Sequence, residues 1–194
     1  MLTQRAKQLI PKARIFSLAT VKNVYPEQVI AIFQQADNEG KYLSDSDLQQ
    51  ITTILPEITE NIKKAKLLRD NAEQIVEQAR QKVLASFPHI TEPGGELYPP
   101  ERATACWRDF WHFLRCISYG VAGKITKFTN KEGLKNMELL YQELKVPLPA
   151  MILGLENLKS FSLEEFLSAE KNNISPYFDH LINELKGFAA ASEE

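Results

Sequence analysis

The sequence holds few of the residues that build reactive sites on their own: 2 cysteines, 3 histidines and 8 glycines among 194 residues. Two cysteines cannot form a disulfide framework, which makes a reducing cytoplasm the expected compartment. Cys106 and Cys116 fall on one expected helix, where a rise of about 1.5 Å per residue separates them by ~15 Å. A disulfide reaches only ~7 Å between Cα atoms, so the two cannot bridge each other. No Cys-x-x-Cys or His-x-x-x-His pair occurs, and His89, His112 and His180 fall on separate elements, so no metal site is expected. "PGGE", Pro93–Glu96, lacks the strand and lysine of a phosphate loop. Charge of either sign is not in excess: 23 basic against 25 acidic side chains leave −2. That balance gives no pull toward nucleic acid or anionic lipid. No run approaches the ~20 apolar residues of a membrane span, and the first 24 residues lack the apolar core of a signal peptide.

What the chain does have is helical periodicity. At 44% hydrophobic and 25% charged, it has the composition of an ordinary globular domain. An amphipathic segment over Thr3–Ile10 stops at Pro11, and a second starts near Pro26, shows Val29, Ile30 and Phe33, and ends in "ADNEG". Ser44 with Asp47 predicts a capping box before Leu48, Ile51, Ile54 and Leu55. Pro56 marks a kink or boundary, and Glu57–Phe87 reads as one or two long helices. Pro88–Pro100 is the clearest irregular loop. Helices are then expected over Glu101–Ala122, Lys131–Leu144, Pro149–Lys159, Leu163–Lys171 and Pro176–Lys186, with Ser162 and Glu165 as a further cap. The expectation is one all-α domain over residues 1–194, with no strand and no repeat.

The densest stretch is "CWRDFWHFLRC", Cys106–Cys116. Cys106, Asp109, Phe110, Phe113 and Ile117 share one helix face, Arg102 lies a turn before Cys106, and Arg108 flanks that face. A thiol, an acceptor-only carboxylate and a guanidinium fork can together hold a flat charged ligand. The plainer alternative makes Cys106 a small core residue, with Arg108 and Asp109 in surface pairs. Trp107 and Trp111, one turn apart, suit packing against a partner or a ligand edge. Nothing local selects a set of catalytic groups.

Cys106-Trp107-Arg108-Asp109, Leu114-Arg115, Tyr119 and the closing Ala122-Gly123 resemble the chromophore helix of the phycobiliproteins, the globin-like light-harvesting subunits of phycobilisomes. "ADNEGKYLSDSDLQ" (Ala36–Gln49), "FPHITEPGG", "GLKNMELLYQELKVPLPAMILGLENLK" and "ISPYFDHLINELK" resemble further blocks of that family in the same order. The resemblance covers nearly everything beyond about residue 24. It implies a globin-like core over about residues 36–188, preceded by N-terminal association helices over about 1–35. It implies an open-chain tetrapyrrole, phycocyanobilin or a relative, joined to Cys106 by a thioether. Asp109 would accept from pyrrole N–H groups, Arg108 would pair with a propionate, and Arg102 would be a further propionate partner. The expected partner is a second copy or an unlike phycobiliprotein-like subunit, with phycobilisome components beyond it. The implied role is pigment binding for light harvesting and energy transfer, without enzymatic turnover, in the cytoplasm or peripheral to the thylakoid. The alternative is a pigment-free or transiently binding relative acting in bilin handling, regulation or phycobilisome assembly. A haem-binding globin is a third class, weakened by the lack of a histidine placed for a proximal turn.

Departures from the family pattern are also visible. One residue is missing between Tyr119 and Ala122-Gly123, Lys124 follows, Glu96 succeeds the Gly-Gly pair, and Pro99-Pro100 precede the helix. About twenty extra residues stand before the usual hairpin, and Trp107 and Trp111 add bulk to the chromophore helix.

Overall fold

Prolines and caps divide this chain into helices much as their chemistry demands. The computed structural model describes residues 2–188; residue 1 and residues 189–194, the ends of the expected domain, lie outside the described residues. α1 (Gln4–Leu9) is capped by the Thr3 hydroxyl and gives way to a 3-10 turn at Ile10–Lys12, where Pro11 cannot continue the ladder. α2 (Glu27–Glu39) closes on Gly40, whose φ of 66° is the left-handed conformation glycine takes most cheaply. α3 (Asp45–Ile54) opens with the full capping box: Ser44 Oγ accepts from Asp47 N at 3.1 Å, and Ser44 N donates to Asp47 Oδ2 at 2.8 Å. The 57–87 stretch resolves into two helices, α4 (Thr59–Asp70) and α5 (Ala72–Ser86), broken at Asn71. After an irregular 88–99 segment come α6 (Pro100–Ala122) and α7 (Lys131–Glu143).

The C-terminal third differs from the pattern-based expectation. α8 (Leu148–Glu164) runs straight through Ser162, which is buried inside it and caps nothing. α9 (Ser168–Lys186) contains Pro176 instead of starting there. The apolar stripe of Ile174, Tyr177, Phe178, Leu181, Ile182 and Leu185 is buried on both sides of the proline. Packing of that stripe outweighs the local cost of a missing N–H donor.

α6 is the axis of the fold. Every residue from Phe113 to Ala122 is buried, as befits a helix surrounded by others. α4 packs along α6, α5 along α8, and α8 along α9. The core between them holds Phe33, Phe110, Leu114, Ile117, Tyr119, Phe128 and Phe178, all fully buried. Among the described residues there is no strand beyond an isolated Phe16–Thr129 bridge, and the all-α, globin-like expectation holds. Among the described residues no helix is long and apolar enough to cross a membrane.

The N-terminal segment folds back on the chain that carries it. α1 and the turn after it lie along α7. Ser17 N donates to Phe128 O at 2.7 Å, and Asn130 N donates to Ile15 O at 2.6 Å. Phe16 stacks on Phe33 and meets Tyr119 edge-on. Val29 and Phe33 of α2 are completely buried in this chain's own core.

Candidate functional site

A cavity of about 480 Å³ opens where four pieces of chain meet. That volume lies in the range of small-molecule sites. α6 supplies Arg108, Asp109, His112 and Cys116; the end of α2 supplies Asp37–Gly40; α7 supplies Met137, Leu140 and Tyr141. The N-terminal segment closes it with Ile10, Ala13, Arg14 and Ile15.

A buried ion cluster fixes the floor. Asp37 Oδ1 accepts from Arg115 Nη1 at 2.9 Å, and its Oδ2 accepts from Arg14 Nη2 at 3.0 Å. Arg14 also donates to the Asp37 carbonyl. Arg115 also donates from Nη1 to Tyr119 Oη at 2.9 Å and from Nε to His112 Nδ1 at 3.1 Å. Tyr119 in turn donates to the Lys41 carbonyl, which ties α6 to the chain leaving α2. The bond to His112 requires an unprotonated Nδ1. Burial, with the Arg115 and Arg108 charges, holds His112 down at about 4, so the ring is neutral at physiological pH.

Asp109 stands at the cavity wall, half-buried, with Oδ2 accepting from the Tyr141 hydroxyl at 3.1 Å. Burial pushes its carboxyl up to about 6, against the opposing pull of that hydrogen bond and of Arg108. Arg108 is exposed and makes no hydrogen bond or ion pair with the described residues. The wall therefore presents an acceptor and an uncommitted guanidinium side by side, which together suit a ligand carrying N–H groups and carboxylates.

Cys106 is placed differently. It is buried and does not line the cavity. Burial and the Asp109 charge push its thiol up to about 12, although Arg102 opposes the shift. Tyr141, which does line the cavity, is pushed well above the usual phenol range, first by burial and then by the Asp109 charge, so it stays a donor to that carboxylate. Arg102 also lies away from the cavity: Nε donates to the Glu96 carbonyl at 3.0 Å and Nη2 to the Lys145 carbonyl at 2.9 Å. It pins the 88–99 segment to the turn after α7. Cys116, which the sequence offers only as packing, is buried at the cavity edge.

The tryptophans stay out of the cavity. Trp107 tilts against Phe110, while Trp111 meets His112 and Tyr42 edge-on, and Tyr42 Oη donates to the Trp111 carbonyl at 3.2 Å. Among the described residues no group of three or more His, Cys, Asp or Glu side chains could hold a metal ion.

A family model described as phycobilisome protein matches residues 31–185. The chain belongs to that family. Curated relatives agree along most of the length. The allophycocyanin alpha-B chain of a Synechococcus species is 34% identical over 154 residues, covering 79% of this chain and 94% of the relative. The allophycocyanin subunit alpha-B of a Synechocystis species is 30% identical over 154 residues, covering 79% and 96%. The allophycocyanin alpha chain of Galdieria sulphuraria is 32% identical over 152 residues, covering 78% and 94%. The chain is thus a divergent phycobiliprotein, one of a class of light-harvesting pigment proteins. Three walls of the cavity come from within the matched span of this phycobiliprotein, and the fourth, Ile10–Ile15, precedes it.

Sequence reasoning missed Asp37, Arg115, Tyr141 and the N-terminal wall as parts of the site. Asp37 sits in "ADNEG" and Tyr141 in "LLYQELK", both within stretches that carry the resemblance. Neither stretch says that its residue faces α6.

Proposed function

We propose that the cavity holds an open-chain tetrapyrrole of the phycocyanobilin type and that the protein serves light harvesting and excitation transfer as a pigment carrier without turnover. The pairing of Asp109 with an uncommitted Arg108 at the cavity wall carries this reading. In it, Asp109 accepts from pyrrole N–H groups, and Arg108 pairs with a propionate as a charge-assisted fork. Cys106 is the attachment point. A bound bilin would supply the visible absorption. The protein's share is to hold it extended between walls that the Asp37–Arg115–Tyr119 cluster keeps rigid. Arg102 supports the site indirectly, by holding the 88–99 segment. The relatives named as allophycocyanin chains support this assignment, as does the fit of the donor and acceptor set to such a ligand. Association with a second phycobiliprotein-like subunit, in the cytoplasm or at the thylakoid surface, uses the sides of α1 and α2 left exposed by the fold.

A second reading, reversible pigment binding in bilin handling or assembly, is favoured by one observation: the Cys106 thiol is buried and off the cavity. The intact mass of protein made in a bilin-producing host separates the two. The expected result is a mass raised by one bilin in the wild type and in Cys116→Ala, and unmodified mass in Cys106→Ala. Unmodified wild-type protein that still shows a visible band with added bilin, lost on denaturation, would replace the first reading by the second. Silence in both assays would remove pigment binding altogether.

A further inference from the structure

The cavity wall made by residues 10–15 lies before the span that matches the family, so it is a feature of this chain and not of its matched core. Its docking depends on a close approach. A Cβ on Gly133 would sit 1.8 Å from the Arg14 carbonyl oxygen, so only glycine near the start of α7 admits this segment, a strap laid across α7. The outer end is held by exposed polar contacts, Thr3 Oγ1 donating to Glu143 at 2.6 Å and Arg5 facing Glu143 at 3.6 Å.

Arg14 is the charged residue this wall contributes, and its side chain is 45% exposed. Its partner Asp37 does not depend on it, because Asp37 Oδ1 is already held by Arg115 at 2.9 Å. Two guanidiniums surround one carboxylate, so the cluster carries one positive charge beyond its own compensation. Glu39, also on the cavity, is drawn to Lys41 at 3.1 Å. A ligand with two carboxylates therefore meets positive groups on two different walls, Arg108 on α6 and Arg14 on the strap.

We propose that residues 3–17 form a chain-specific wall over the pigment cavity and that Arg14 is a positioning residue for a second ligand carboxylate, an inference that rests on the pigment-binding reading. Arg14 moves from Asp37 toward the ligand without stranding a buried charge, since Arg115 stays in place. The strap then selects for tetrapyrroles with free propionates.

Biliverdin and its dimethyl ester are suitable probes, titrated onto the full-length apoprotein and followed by visible absorbance. Wild type is expected to bind the free acid at least tenfold more tightly than the ester. Arg14→Gln should lose roughly tenfold for the free acid, the scale of one charge-assisted hydrogen bond, and leave the ester unchanged. Arg14→Lys should recover part of the loss. Gly133→Ala, which lifts the strap, should weaken both probes together. Wild-type affinity for the free acid in Arg14→Gln would overturn the role of Arg14, and unchanged binding of both probes in Gly133→Ala would overturn the wall. Failure of wild type to bind either probe would instead overturn the pigment reading, and this inference with it.

Discussion

Asp37→Ala should cost about 3–5 kcal/mol of folding stability, the usual result of stripping one partner from a buried ion pair. Asp37 is 5% exposed and Arg115 7%. Once the carboxylate is gone, Arg115 keeps only Tyr119 Oη and the neutral His112 ring, and neither offsets a full charge out of water. Arg14 loses less, being half in solvent and still donating to the residue-37 carbonyl. For a chain of this size the loss corresponds to a melting temperature lower by roughly 6–20 °C. Urea titration of Asp37→Ala, Arg115→Met and the double variant reads the coupling. The double should be less damaged than the two single losses summed, because removing both partners strands nothing. A single-variant loss below about 1 kcal/mol would mean that water reaches Arg115 and that the cluster does not set the cavity floor.

That cluster also shows where the sequence could be read and where it could not. Helix ends governed by neighbouring residues were legible: the Ser44–Asp47 box, the stop at Pro11 and the Gly40 close follow from contacts within four residues of each other. The irregular loop and the buried face of α6 followed from proline density and period. Ser162 and Pro176 misled for the same reason in reverse. Their local signals were outweighed by apolar stripes packed against other helices, a term that no short window contains.

The site divides the same way. Arg108 and Asp109 are adjacent in sequence and adjacent at the cavity, so the motif found them together. Cys106 shares their helix but not their exposure. Cys106 lies about one turn before Asp109 on the same side of α6, yet it is buried and off the cavity lining. Asp37, Arg14 and Tyr141 approach from elements 23 to 78 residues away from their hydrogen-bond partners. Pairings over such distances depend on helix packing, and spacing along the chain carries no trace of them.

Asp109→Asn should stabilise the apoprotein at pH 8 by about 2–3 kcal/mol while weakening pigment binding, with the stability gain absent near pH 4. Burial raises the Asp109 carboxyl from 3.8 to about 6. Between those values the folded protein holds a proton that the unfolded chain has released. Stability therefore falls as pH rises through that window, the reverse of a salt-bridged carboxylate, and two pKa units correspond to about 3 kcal/mol. Asparagine keeps an oxygen for the Tyr141 hydroxyl and carries no charge to desolvate. The other titrating groups are common to both proteins, so the difference between their urea midpoints at pH 4 and pH 8 isolates Asp109. An equal difference at the two pH values would show that the carboxylate is well solvated in the apoprotein. A penalty of this kind is what a ligand site retains when its acceptor awaits a donor. Pyrrole N–H groups would stabilise the ionised carboxylate, so adding biliverdin to wild type should flatten the pH dependence, and Asp109→Asn should show no such response.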